Sequence, residues 1–269
     1  MAENNGRAQA GPREEMGVSP TGGRRLGLAS MLRLDFYRLV HTPALYIMLL
    51  IAAMIPALMA MGGSDASTGA SSGVAITNTW QLVESLGGSA AGENPLDMGA
   101  YANINMVFIF AGLLMAIFVA HDYSSGFVKN ILCVHARRRD YALSKLAVGV
   151  VGGIGMLAAY VAGACLSGGF AGASFSVDVP GLVFCLISKA LLMFAFCGLF
   201  LCIAVFFRRN LWVTIVFTFL FGMMLYPAGS VATLASTPAT VLVAAVAGAL
   251  AAAAFGSVAA LVLSRRDVV

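Results

Sequence analysis

The sequence predicts an all-α integral membrane protein. About six transmembrane helices are expected, with an N-terminal amphipathic helix at the membrane interface and a short cytoplasmic helix between spans two and three. Three observations carry that expectation. Hydrophobic residues make up 60% of the chain and charged ones 10%, with a mean hydropathy of +0.90, whereas soluble domains carry roughly one-quarter charged residues. The apolar residues gather into runs of the length a bilayer demands, about 20 residues per helical span. Finally, the cations sort onto alternate connectors, as membrane orientation requires.

Residues 1–25 are rich in Gly, Arg, Glu and Pro and hold no apolar run. They are expected to form a disordered cytoplasmic tail rather than a cleavable signal peptide. Residues 26–269 are expected to form a single six-span domain. Leu28, Leu32, Phe36, Leu39 and Val40 share one helical stripe, while Arg33, Tyr37 and Arg38 sit off it, the pattern of a helix lying flat at the membrane surface. Pro43 separates this helix from the first span.

Span one is expected from about Ala44 to Met61, with Pro56 tolerated because neighbouring helices can satisfy the carbonyl it frees. The loop over 62–100 carries Asp65, Glu84, Glu93 and Asp97 but no Lys or Arg, which places it outside. Ile76, Trp80 and Val83 share helical spacing there and predict a short interfacial helix. Span two follows from about Tyr101 to Ala120. Span three runs from about Leu146 to Phe170, where Gly149 with Gly153 and Gly168 with Gly172 form small-xxx-small pairs that favour close helix packing. A turn at Asp178 and Pro180 leads to span four, about Gly181 to Phe207. Span five covers about Leu211 to Tyr226 and span six about Ala239 to Leu263.

With six spans, every cation except Lys189 falls on one side. Arg7, Arg13, Arg24, Arg25, Arg33 and Arg38 precede span one; Lys129, Arg137, Arg138, Arg139 and Lys145 lie between spans two and three; Arg208, Arg209, Arg265 and Arg266 follow. Both termini are therefore expected to be cytoplasmic. This topological sorting, and the lack of a basic patch interleaved with aromatics, excludes nucleic acid as a partner.

The chemistry of an enzyme is missing from the pattern. A phosphate-binding loop ends in Lys followed by Ser or Thr, but Lys129, Lys145 and Lys189 precede Asn130, Leu146 and Ala190. No HExxH or GxSxG occurs, and His41, His121 and His135 have no ligand spacing. Cys133, Cys165, Cys185, Cys197 and Cys202 form no CxxC and read as small apolar residues. The spans as drawn contain no carboxylate, although proton-driven transport would call for one. No metal or cofactor is expected on this chain. Lys189, about eight residues into span four, has two readings: a contact on a substrate path or between subunits, or a side chain snorkelling to the outer interface.

The segment 121–145, HDYSSGFVKNILCVHARRRDYALSK, is the only long cationic stretch between two apolar runs. Phe127, Val128, Ile131, Leu132 and His135 recur at helical spacing and give a short cationic helix one apolar stripe, able to press into a partner's groove. Asp122 with Ser124 or Ser125 stands where its N-cap should be. The alternative is a solvated connector that simply obeys the positive-inside rule.

Asp122 four residues before Gly126, then Lys129-Asn130, then Arg138 and Lys145 ahead of span three, resembles the type 2 exporter class of ABC transporter permeases. The branch it is most similar to serves lantibiotic and peptide-antibiotic export or immunity. The closing Arg266-Asp267 and the amphipathic helix before span one are also similar, while Phe127 stands where that family has Thr and His135 where it has Pro. The resemblance implies that 121–145 holds a coupling helix that docks in a cleft of a separate ATP-binding subunit. Its coupling residues would be Asp122, Gly126, Phe127, Lys129, Asn130, Ile131, Arg138 and Lys145. It further implies two permease chains, identical or paralogous, and two ATPases, with ATP and Mg held by the ATPases. The activity implied is export of a hydrophobic or amphipathic compound across a bacterial cytoplasmic membrane. Readings from other classes are an ATP-independent secondary transporter, disfavoured by the missing intramembrane carboxylates and inverted repeats, and a non-transporting anchor that recruits a cytoplasmic partner.

Overall fold

The computed structural model describes residues 28–62, 78–83, 104–128, 138–176, 178–207, 210–229 and 237–265. Among them the chain is helical with no strand, and the one isolated β-bridge joins Asn78 to Ser174. The helices are α1 (Leu28–Val40), α2 (Pro43–Gly62), α3 (Met106–Ser124), α4 (Arg138–Ala171), α5 (Val179–Phe206), α6 (Leu211–Gly229) and α7 (Pro238–Arg265). The tail before Leu28, most of the 62–100 loop, and the stretch 129–137 lie outside the described residues.

Four of these helices are long and apolar enough to cross a membrane: α3, α4 from Arg139, α5, and α7 as far as Ala259. The pair α1 and α2 meets the same test together, bent by 63° at His41–Thr42. The apolar part of α6, Leu211–Leu225, is shorter. At 1.5 Å per residue it covers about 22 Å of a hydrocarbon core roughly 30 Å thick. Among the described residues four helices, or five spans with the bent pair, thus pass the test of length and composition, where six spans were expected from apolar runs alone.

Two boundaries move in a way that matters. Helix α3 continues past Ala120 to Ser124, and α4 starts at Arg138 rather than near Leu146. Asp122 and Lys145, expected in a polar connector, therefore lie inside the two helices. The helices can extend across these residues because each charge is satisfied within the protein, as described below.

Pressing apolar surface onto apolar surface gains little in lipid, so helix association depends on close contact between backbones. Helix α3 is the axis of the bundle, with Val107, Phe108, Ala111, Leu114, Met115, Phe118 and Val119 all buried, and it packs on α4, α5 and α6. Helix α2 lies along α4, where Gly163 sits directly against the Ala53 carbonyl; α7 lies along α5, where a Cβ on Gly248 would come 2.5 Å from the Leu191 carbonyl oxygen. The small residues Gly149 and Gly153 face Met115 and Met193, so this pair does occupy a crossing. Phe108 of α3 stacks on Phe196 of α5 with ring centroids 4.5 Å apart.

At the end of the bundle remote from Asp122, the predicted interfacial helix is a 3₁₀ turn, Thr79–Leu82, pinned to the α4–α5 connection. Thr79 N donates to Ser174 O at 2.9 Å, Asn78 Nδ2 to Ser176 O at 2.5 Å and Trp80 Nε1 to Phe175 O at 3.2 Å. Gly168 allows the Thr79 side chain to lie flat on α4, and Gly172, with φ +68°, turns the chain out of that helix.

Candidate functional site

Each of three helices contributes one i, i+3/i+4 stripe to a single point. Helix α1 presents Met31, Asp35, Arg38 and Leu39; the last turns of α3 present Phe118 and Asp122; the first turns of α4 present Tyr141, Ser144 and Lys145. That spacing puts residues on one helical face, and here the faces meet as an ion cluster. Lys145 Nζ lies 2.6 Å from Asp35 Oδ1 and 2.5 Å from Asp122 Oδ2. Arg38 Nη1 lies 2.7 Å from Asp122 Oδ1, an ionic contact without hydrogen-bond alignment, and 4.0 Å from Asp35 Oδ1. Ser144 Oγ donates to Asp35 Oδ2 at 2.7 Å, and Tyr141 OH donates to Asp122 Oδ2 at 3.2 Å.

Two cations face two carboxylates, so the cluster is neutral as a whole. It is also almost dry: Asp122, Ser144 and Lys145 are 0% exposed and Asp35 2%. Aromatic faces close it. Lys145 Nζ stands 4.3 Å from the Phe118 ring centroid, and the Arg38 guanidinium 4.0 Å from that of Phe127. Removing charges from water costs several kcal/mol per ion, and mutual pairing offsets that only when every member is present. The arrangement therefore acts as a lock among three segments rather than as reactive chemistry.

Immediately after Asp122 the helix is closed off. Ser125 N donates to His121 O and Gly126 N to Tyr123 O, while Gly126 adopts φ +70°, a left-handed conformation that only glycine enters without strain. Phe127 and Val128 are helical again, and Val128 is buried. The N-cap expectation for Asp122 is corrected by these contacts. Its carboxylate points inward to two cations, and Ser124 Oγ and Ser125 Oγ donate back to the carbonyls of His121 and Asp122, so the hydroxyls close α3 rather than open the next helix. A buried carboxylate gains more from ion partners in a low-dielectric site than from exposed N–H groups.

Of the residues singled out in the sequence, Asp122, Phe127 and Lys145 come together in the cluster, with Gly126 on the turn beside it. Arg138 opens α4, and Lys129, Asn130 and Ile131 lie outside the described residues. Sequence reasoning missed Asp35 altogether and treated Arg38 only as a topological charge; Phe118, Tyr141 and Ser144 were also passed over. The available signal was the i, i+4, i+7, i+8 spacing of Met31, Asp35, Arg38 and Leu39, a second face on α1 beside the apolar stripe. Four members of that stripe face outward, Leu28, Leu32, Phe36 and Val40 being exposed, as a helix resting in the membrane interface should have them; the fifth, Leu39, is buried and belongs to the inner face instead.

Lys189 does not snorkel. It is 0% exposed and donates from Nζ to Asn105 Oδ1 at 3.0 Å, one residue before α3 begins. Among the described residues no group of His, Cys, Asp and Glu is placed to hold a metal ion, and Cys165, Cys185, Cys197 and Cys202 form no disulfide.

The family model described as ABC-2 family transporter protein matches residues 31–225, more than half of the chain and all of the cluster. The chain belongs to the ABC-2 family of transporter membrane proteins. No curated protein and no solved structure matches it.

Proposed function

We propose that the chain is the permease subunit of an ATP-driven ABC exporter in the bacterial cytoplasmic membrane, with both termini cytoplasmic. In this reading α2 to α7 make six crossings, and two permease chains, identical or paralogous, work with two cytoplasmic ATP-binding subunits that hold the ATP and Mg. The cargo is a hydrophobic or amphipathic compound, with peptide antibiotics of the lantibiotic kind as the leading class. The residues around Gly126 to Arg138 form the coupling helix that docks on the ATPase, with Lys129, Asn130, Ile131 and Arg138 on the docking side and Asp122, Phe127 and Lys145 holding its base.

The observation that carries this reading is the ion cluster at the root of the 121–145 segment. A connector that merely obeys the positive-inside rule needs no fixed base, whereas a lever transmits force only if its root is rigid. Asp122 and Lys145 fasten the two ends of the segment to each other, and Arg38 stacks over the ring of Phe127, the first residue beyond the glycine turn.

The test is a mild-detergent pull-down of the tagged chain from its own host, with ATP hydrolysis assayed in the eluate. An ATPase should co-purify and should be lost on deletion of 126–139. Gly126→Pro should abolish coupling with membrane insertion intact, because proline is held near φ −65° while the turn needs φ +70°. A chain that purifies without any ATPase from membranes where its genomic neighbours are expressed would overturn the proposal.

A further inference from the structure

The 121–145 segment is joined covalently only to α3 and α4, yet the cluster also ties it to α1 through ion pairs. We infer that α1 is a second output of the drive: Asp35 and Arg38 are positioning residues that carry movement of the segment through α1 to α2, the first span. This inference rests on the coupling reading above and extends it to a helix the segment does not touch by sequence.

Three observations bear on the route. The first is that the link at its input is directional and made of charge: Asp35 meets Lys145 at 2.6 Å and Ser144 at 2.7 Å, and Arg38 meets Asp122 at 2.7 Å. The second is that the link at its output is stiff. Only His41 and Thr42 separate α1 from α2, and hydrogen bonds run through the bend: Thr42 Oγ1 to Arg38 O at 2.7 Å, Thr42 N to Leu39 O at 3.1 Å and Leu45 N to Thr42 O at 3.1 Å. Pro43 opens α2 with its fixed φ. A rotation of α1 is therefore passed on rather than lost in a loose joint.

The third observation concerns the competing route, direct contact between α4 and α2. The face of α4 turned toward α2 and the bend carries Gly152, Gly155 and Gly163, whose nearest neighbours there are Leu39 and Leu45, Leu49, and the Ala53 backbone. Such a surface lets the backbones approach closely, so this route is apolar packing along the helices, whereas the ion cluster links α4 to α1 through charge pairs. Replacing Asp35 and Arg38 removes the second route and leaves the first. On its other side α1 exposes Leu28, Leu32 and Phe36, so it can shift within the membrane interface without breaking protein contacts.

The test needs no transported substrate. The native permease–ATPase complex in nanodiscs is compared by hydrogen-exchange mass spectrometry, nucleotide-free and trapped with ATP, Mg and vanadate. In the native complex the exchange rates should change both at 121–128 and at the 37–45 bend, by about fivefold or more if the coupling has the usual size. In the Asp35→Asn/Arg38→Gln double variant the response at 37–45 should vanish while that at 121–128 persists. Arg38→Lys, which keeps the charge, should restore the response at the bend when paired with native Asp35. A bend response of native size in the double variant, or none in the native complex while 121–128 responds, overturns the inference. So does loss of complex assembly in the double variant with its level in the membrane reduced, because the residues would then be a structural brace. If 121–128 itself fails to respond in the native complex, the coupling reading falls first, and that is visible before any variant is made.

Discussion

Two fully buried lysines stand at the two ends of α3. Lys145 meets Asp122 in its last turn, and Lys189 meets Asn105 just before its first, about 25 Å apart by helical rise. At the Asp122 end the cation is answered by two carboxylates and closed over by aromatic rings. At the Asn105 end the hydrogen bond described goes to a neutral amide. The difference teaches what each lysine is for. A four-charge cluster, in which each member depends on the others, fixes the relative orientation of three segments, whereas the ammonium–amide bond ties α5 to the residue that precedes α3. Among the described residues, the four ion pairs stand at the end where the cationic connector attaches.

The sharpest way to break the comparison is Lys145→Met. It leaves Asp35 and Asp122 buried with Arg38 as the only cation for both, and removing one partner of a buried ion set costs about 3–5 kcal/mol. Thermal unfolding in mild detergent should register this as the largest loss of any single substitution in the cluster. Adding Asp35→Asn removes the excess charge while Arg38 still answers Asp122, so the double variant should be more stable than Lys145→Met alone. A double variant whose losses merely add would mean that the two side chains do not share one network.

The contrast between the two ends was only half legible in the sequence. The spans α3, α4, α5 and α7 follow from long apolar runs, which need no tertiary information. Lys145 was visible as a cation, but the positive-inside rule accounts for any cation at a span end, so its position could not distinguish a solvated side chain from a buried one. Asp35 sits three residues before Arg38 on a helix with one other arginine, Arg33, and reads as half of a surface i, i+3 pair; its main partners lie more than a hundred residues away on α4. Lys189 was judged by its depth along its own helix, which measures the path to water but not whether α3 closes over it. The apolar run of α6 was read with nearly its observed bounds, but an apolar run says where a helix can lie in lipid, not how much of the bilayer it spans.

A smaller effect is expected at the other end. Lys189→Met removes one charge-assisted hydrogen bond and leaves the Asn105 amide without that donor, a cost of about 1–3 kcal/mol. The same thermal assay should therefore place Lys189→Met between the native chain and Lys145→Met. If Lys189→Met proves as damaging as Lys145→Met, the two ends are equally rigid and the contrast drawn above is lost. If stability holds while ATP-dependent transport falls, Lys189 acts on the cargo rather than on the fold.

The smallest effect should come from Arg38→Lys. Arg38 is the one charged member of the cluster with appreciable exposure, its side chain 21% accessible, so water already screens part of its interaction. Lysine retains the positive charge toward Asp122 but loses the guanidinium over Phe127, which lies 4.0 Å from the ring centroid. A cation–π contact at a partly exposed site contributes about 0.5–1 kcal/mol, and lysine does not replace arginine's flat geometry. A shift of that size in the unfolding midpoint, against the much larger one for Lys145→Met, would place the centre of the lock on α4. A loss from Arg38→Lys equal to that from Lys145→Met would move the centre to α1, and Phe127 stacking rather than ion pairing would then be what fixes the root of the connector.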